Sequence, residues 1–128
     1  MLVGDPGSLS WTELMTRDTS KAQAFYRSLF GWDYASMPMG EVDYTMIKCG
    51  DKDAGGMMPM AGPQFEGVPA HWLVYLATDD CDAVADKVSR TGGTVIVQPT
   101  EIPVGKFSMM HDPQGGVFAV VSVTNPAG

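Results

Sequence analysis

Two side chains capable of acid–base chemistry lie in apolar stretches of the chain. His71 stands directly before the apolar run Trp72–Ala77, and Glu13 lies between Trp11 and Met15 in the segment LSWTELMT. A histidine at the start of a buried strand can bind a metal ion, but more often it is a hydrogen-bonded part of the interior. Because side chains alternate across a strand, Glu13 shares one strand face with its two apolar neighbours. A carboxylate in such a wall can transfer protons, contact a ligand or stabilise the fold.

Composition and charge limit the partners of the protein. The chain has 128 residues, of which 45% are hydrophobic and 18% charged, as is typical of one globular domain. Its formal net charge of −7 disfavours nucleic acid and anionic membrane surfaces. No apolar run reaches the roughly 18 residues of a membrane span, MLVGDPGSLS lacks the pattern of a signal peptide, and Cys49 and Cys81 lack CxxC spacing. We therefore expect a cytoplasmic protein with a small-molecule partner.

The pattern of predicted elements occurs twice along the chain. A strand over Leu9–Thr16 is followed by a helix over 19–30, whose apolar residues recur at helical spacing, and by three short strands. After the linker AGPQFEGVPA, a strand, a helix over 80–91 and three more strands follow in the same order. The sequence therefore predicts a single α+β domain of two tandem βαβββ modules, at about 9–60 and 70–123.

This duplicated pattern and two short segments resemble a known family. AFYRSLFGW at the end of the first helix and DPQGGVFAV before the last strand are similar to the vicinal oxygen chelate superfamily, which includes glyoxalase I, bleomycin-resistance proteins and extradiol dioxygenases. WTELMTRD, GGMMPM and HWLVYLATDD resemble its actinobacterial glyoxalase-like antigens and hydroxylase-like proteins. The resemblance implies curled mixed sheets around a cavity, with the helices outside. It also implies a homodimer, because short members usually dimerise to complete their sites.

The family's metal site is poorly matched by this sequence. The resemblance places the four ligand positions at Trp11, within Gly55–Met60, at His71 and at Ala119. Only His71 has a side chain suited to ligation, whereas a catalytic divalent site normally needs about three protein ligands. We therefore predict no metal at this site and no other cofactor, with a rearranged metal site as the alternative.

The resemblance and strand parity together select the residues expected to contact a ligand. In relatives the counterparts of Trp11 and His71 point into the cavity, and by parity Glu13 and Tyr75 then do so too. The chain contains 10 methionines, several on strands that line or border the cavity. Methionine adapts to varied ligands, although ordinary core packing is the other interpretation. The predicted ligand contacts are Trp11, Tyr75, Met58, Phe107 and Met109.

Several classes of function remain open on the sequence. The first is a metal-free binder of a small apolar or aromatic molecule in the inter-module cavity, and the acidic net charge suits a cationic ligand. The second is an enzyme, with Glu13 and His71 as acid and base or with a rearranged metal site. Glu13 can also serve structure, through a hydrogen bond to the backbone or to Arg17. A degenerate module that acts mainly in oligomerisation is the third class.

Two further polar residues have less specific interpretations. His111 precedes the DPQG turn and is interpreted as a turn or rim residue, and Lys106 as a solvated strand end. The sequence contains no P-loop, GxGxxG, HExxH or G-x-S-x-G motif. Nucleotide use and serine-hydrolase chemistry are therefore not leading interpretations.

Overall fold

The computed structural model describes residues 6–39, 42–103 and 105–123, which divide into two compact units. The N-terminal unit is Thr12–Trp72, and the C-terminal unit combines residues 6–11 with the chain from Leu73 onward. The division falls inside the first strand of each module. Neither helix in the described part of the chain is long and apolar enough to cross a membrane.

The N-terminal unit contains the first βαβββ module. Its elements are β1 (Leu9–Thr16, from Thr12 on), α1 (Thr19–Phe30), β2 (Asp33–Met39), β3 (Val42–Cys49) and β4 (Lys52–Pro59), followed by a 3-10 turn at Pro63–Phe65. The strand order is β2-β3-β4-β1, in which β1 and β4 are parallel and the other neighbours antiparallel. The predicted helix over 19–30 is confirmed.

Local signals set both ends of α1. The Asp18 carboxylate accepts a hydrogen bond from the Lys21 backbone N–H at 3.0 Å, which caps the first turn. At the other end Gly31 has a φ of 71°, a left-handed conformation that glycine adopts without a steric cost, and its N–H donates to the Arg27 carbonyl. The helix therefore ends where the sequence FGW predicts.

One face of the N-terminal sheet packs against α1. Leu14, Ile47 and Met57, from β1, β3 and β4, form its buried centre. The helix contributes Ala22 and Tyr26, which pack against this cluster. Since neighbouring residues in a strand point to opposite faces, the residues that alternate with this cluster lie on the face away from the helix.

The C-terminal unit repeats this architecture. Its elements are β5 (His71–Ala77, from Leu73 on), α2 (Cys81–Arg90), β6 (Thr94–Ile102), β7 (Gly105–His111) and β8 (Val117–Val123). The strand order is β5-β8-β7-β6, with β5 parallel to β8 and the other neighbours antiparallel. Both units thus have the same topology, and the predicted α+β class with two βαβββ modules is confirmed.

A second apolar cluster lies between α2 and its sheet. Cys81, Met110 and Val120 are buried there, with Leu76 and Val88 packed around them. Burial, and to a smaller extent the neighbouring charge of Asp82, raise the pKa of the Cys81 thiol to about 11. Cys81 is therefore a neutral core residue near pH 7, unsuited to nucleophilic chemistry.

The DPQG turn between β7 and β8 is closed by Asp112. Its Oδ1 accepts the backbone N–H of Gly116 at 2.8 Å and of Gln114 at 2.9 Å, and these bonds lower the pKa of the carboxyl. A lowered pKa contributes stability that is present above the ordinary value of 3.8 and is lost as the pH falls through the folded value.

Asp112→Ala is therefore expected to lower the urea midpoint of unfolding at pH 7, and to lower it less at pH 3. Urea titrations of the wild-type and variant proteins at both pH values measure this difference. An equal loss at the two pH values would show that the charge of Asp112 does not stabilise the turn.

Candidate functional site

The predicted acid Glu13 lies on the sheet face that points away from α1. Glu13 is paired with Gly56 of β4, and Gly56 with Met46 of β3, while Met15 is paired with Met58. This surface, called here the Glu13 face, consists of Glu13, Met15, Tyr44, Met46 and Met58. Glu13 itself is only 5% exposed. A carboxylate thus lies within a wall made mostly of methionine.

The methionines fall into two structural classes that their spacing in GGMMPM does not separate. Met57 points toward α1 and is fully buried in the core cluster, whereas its neighbour Met58 lies on the Glu13 face and is partly exposed. In the other unit Met110 packs in the α2 cluster, and Met109 lies on the opposite face. The core-packing interpretation therefore holds for Met57 and Met110.

Arg17 anchors the loop that follows β4. Its guanidinium donates to the carbonyl oxygens of Phe65, at 2.5 Å from Nη2, and Val68, at 2.7 Å from Nη1. These two bonds hold the end of the 3-10 turn and the chain before β5. The role of Arg17 in this structure is thus to fix the loop.

His71 has a local hydrogen bond that determines its tautomer. Its Nδ1 lies 2.9 Å from the carbonyl oxygen of Pro69, and the ring is half-buried. Because a carbonyl oxygen only accepts, Nδ1 carries the proton and Nε2 is the acceptor in the neutral imidazole. His71 can therefore act as a base or as a donor to a metal through Nε2.

The remaining predicted contacts belong to the C-terminal unit. Tyr75 and Met109 are both paired with Ala119, and Phe107 is paired with Val121, which places all three side chains on the face away from α2. The Tyr75 and Phe107 rings have centroids 6.4 Å apart. This unit thus presents an aromatic pair beside a methionine, and such rings favour planar apolar ligands. Trp11, in the same unit, is half-buried.

His111 and Lys106 both lie in β7 near the surface. His111 ends the strand, with Nδ1 2.9 Å from the Asp112 carbonyl oxygen, as the prediction of a turn residue requires. Lys106 forms an exposed ion pair with Asp82 at 2.9 Å.

The C-terminal unit also has an open groove of about 450 Å³ between α2 and β6. It is lined by Asp82, Ala85, Asp86, Ser89, Thr94, Val95, Gln98 and Pro99.

Tyr44 is a polar residue of the Glu13 face that the sequence interpretation missed. It is 5% exposed and follows the same alternation in VDYTMIKC as Met46, which is the signal that could have found it. The sheet face on which Tyr44 lies depends on which face of β3 packs against α1. The pattern of apolar residues in β3 does not show which face that is.

Comparison with known proteins identifies the family. The model of the Glyoxalase/Bleomycin resistance protein/Dioxygenase superfamily matches residues 8–120. The chain belongs to this superfamily. Among its relatives are "Putative glyoxylase CFP32" of Mycobacterium tuberculosis, 43% identical over 94% of this chain, and "Anthracycline biosynthesis protein DnrV" of Streptomyces peucetius, 35% identical over 90%. The chain spans about half of each, 46% of their length.

Two solved structures share the fold of this chain. A methylmalonyl-CoA epimerase in complex with methylmalonyl-CoA and NH4+ has a TM-score of 0.66 at 17% identity, over 94% of this chain and 96% of the epimerase. The Mycobacterium tuberculosis methylmalonyl-CoA epimerase has a TM-score of 0.66 at 12% identity, over 97% and 93%. At these identities the likeness shows the fold alone.

The ligand positions that the resemblance predicts carry few side chains suited to a divalent metal. Met58 pairs with Met15 as Ala119 pairs with Tyr75, so the register identifies Met58 as the second position. The four positions thus carry an indole (Trp11), a thioether (Met58), an imidazole (His71) and a methyl group (Ala119). Within the described residues, no three His, Cys, Asp or Glu side chains are grouped to hold a metal ion. The four predicted positions thus offer one strong donor, whereas a catalytic divalent site normally has about three protein ligands.

Proposed function

We propose that this superfamily member binds a small apolar or aromatic molecule with a positive charge, on the Glu13 face. The observation that carries the proposal is the buried carboxylate of Glu13 among Met15, Met46 and Met58. Methionine side chains are flexible and polarisable, so they accommodate apolar ligands of varied outline. The carboxylate supplies the one group of this face that attracts a cation, and burial strengthens that attraction.

Two further observations support this class of ligand. The net charge of −7 favours the approach of a cation over that of an anion. A relative with 35% identity is named for anthracycline biosynthesis, which supports a planar aromatic ligand for this chain.

A thermal-shift screen with matched compounds tests the proposal. Each set contains a planar aromatic amine, its neutral N-acetyl derivative and the corresponding aromatic carboxylate. We expect the amine to raise the melting temperature most, because it carries the positive charge that the Glu13 carboxylate attracts. A ligand at 100 times its Kd stabilises the folded state by about 2.7 kcal/mol. The absence of any shift, or equal shifts across a set, would contradict a cation-binding site.

An enzyme is the second candidate function, and the geometry of His71 favours it. Its Nε2 is the acceptor nitrogen, so the N-terminal unit contains both an imidazole base and the Glu13 carboxylate. Mass spectrometry of each bound compound after incubation detects turnover. Product formation that is lost in both Glu13→Gln and His71→Ala would establish acid–base catalysis, whereas an unchanged compound leaves the protein a binder.

We also propose that no divalent metal takes part. Protein purified without chelator is expected to contain well under one equivalent of Zn, Ni, Mn or Fe by elemental analysis, because His71 is the one strong donor of the four ligand positions. Stoichiometric metal that disappears in His71→Ala would contradict this expectation and indicate a rearranged metal site.

We propose a homodimer as the assembly state. The helix α1 leaves apolar side chains exposed, with Phe25 and Leu29 56% and Phe30 62% exposed. A monomer rarely leaves such residues together in water, and relatives about twice as long as this chain leave room for a second copy of the module pair.

Light scattering at micromolar concentration is expected to give about twice the monomer mass of 13.7 kDa. Leu29→Glu places a charge on the proposed interface and is expected to yield the monomer mass. A monomeric wild-type protein would contradict the dimer, and a dimeric Leu29→Glu variant would contradict this interface.

A further inference from the structure

The ring of Tyr44 lies directly over Gly56. A Cβ atom added to Gly56 would be 1.9 Å from the Tyr44 hydroxyl oxygen and 2.3 Å from Cζ. The hydroxyl thus occupies the space in which any other residue at position 56 would have its side chain. An alanine there would have to displace the tyrosine, so the placement of Tyr44 depends on this glycine.

Gly56 is also the direct neighbour of Glu13. The two residues are paired between β4 and β1, and Gly56 is paired on its other side with Met46 of β3. Adjacent strands are about 4.8 Å apart, so the hydroxyl over Gly56 lies about one strand spacing from β1 at Glu13. Both side chains lie on the Glu13 face, and each residue is 5% exposed.

Among the five residues of the Glu13 face, Tyr44 has the one good hydrogen-bond donor. The thioethers of Met15, Met46 and Met58 have no polar hydrogen, and an ionised carboxylate accepts only. A buried carboxylate needs a donor to offset its lost hydration. A phenol is a neutral donor. A positively charged donor would repel a cationic ligand from the same carboxylate.

We propose that Tyr44 is a positioning residue for Glu13. The Tyr44 hydroxyl donates a hydrogen bond to the Glu13 carboxylate, and Gly56, which has no side chain, leaves the space that the Tyr44 ring occupies. The inference rests on the proposed function in one respect, because it explains how Glu13 is oriented toward a cationic ligand. The hydrogen bond restrains the orientation of the Glu13 carboxylate. Tyr44 acts through Glu13, so its removal affects charged ligands selectively.

A ligand-independent measurement tests the contact. Protein labelled with 3-fluorotyrosine has four tyrosines, and the Tyr44 signal in the 19F NMR spectrum is assigned with Tyr44→Phe. We expect Glu13→Gln to move the Tyr44 signal and to leave that of Tyr34, which donates to the Gln23 carbonyl on the α1 side. An unmoved Tyr44 signal would overturn the pairing, whether or not the protein binds a ligand.

A double-mutant cycle tests the positioning role with the aromatic amine and its N-acetyl derivative. Tyr44→Phe is expected to weaken amine binding about tenfold, the scale of one hydrogen bond to a charged group, and to leave the neutral compound unaffected. In the Glu13→Gln background the same change should matter less than about twofold. Additive losses, or equal losses for both compounds, would overturn the role.

Two further variants separate this role from general damage to the fold. Tyr34→Phe removes the same hydroxyl from the opposite face and should leave amine affinity unchanged. Gly56→Ala should reproduce both the altered Tyr44 signal and the selective loss of amine binding. If the wild-type protein binds neither compound, the proposed function fails, and the NMR measurement still decides whether Tyr44 contacts Glu13.

Discussion

Glu13→Gln is expected to weaken the binding of a cationic aromatic ligand by about 1–3 kcal/mol, the scale of a charge-assisted hydrogen bond. The substitution keeps the size of the side chain and removes its charge. Because a near-isosteric change usually has a small effect on stability, the melting temperature should stay within a few degrees of that of the wild type. Isothermal titration of both proteins with the same amine measures the loss.

The matched control is Glu66→Gln, which makes the same chemical change at an exposed position of the N-terminal unit. It should leave affinity unchanged, because a solvated carboxylate outside the Glu13 face contributes little. If Glu13→Gln instead lowers stability and affinity together, the carboxylate serves the fold. Unchanged affinity in Glu13→Gln would remove Glu13 from the binding site.

Met57→Ala is expected to destabilise the protein by about 2–5 kcal/mol, because it leaves a cavity in a fully buried position. Met57 is 0% exposed and packs with Leu14 and Ile47 beneath α1. Met37→Ala is the control at a position that is 40% exposed, and it should change stability by less than about 0.5 kcal/mol. Urea denaturation measures both values.

A small loss in Met57→Ala, similar to that of Met37→Ala, would contradict the division of the methionines into core and ligand-facing classes. The division matters for function, because only the residues outside the helix-facing cores are candidates to contact a ligand. Met58→Ala provides the complementary result. It should change affinity for an aromatic compound more than it changes stability.

Most of the fold follows from local sequence signals. The Asp18 cap, the stop at Gly31 and the helical spacing of apolar residues set α1, and the repeat of this pattern predicts the second module. Strand parity also predicts that Glu13 and Met15 share a face, because the alternation of side chains is a property of the backbone itself.

The candidate site is less accessible from the sequence, because it depends on register and on the contacts of distant residues. In GGMMPM both Met57 and Met58 are apolar, and only the pairing of β4 with β1 and β3 shows that Met58 lies on the Glu13 face. The position of Tyr44 over Gly56 requires the register of two strands and one side-chain conformation. The loop contacts of Arg17 join residues about 50 positions apart, at separations of 48 and 51.

A crystal structure of the protein with the aromatic amine that gives the largest thermal shift tests the central claim most directly. We expect the amine nitrogen about 2.7–2.9 Å from a Glu13 carboxylate oxygen, the range of charge-assisted hydrogen bonds, and the ring system against Met15 or Met58. A ligand in the open groove between α2 and β6, or a metal ion bound to His71 in place of an organic molecule, would contradict the proposed site.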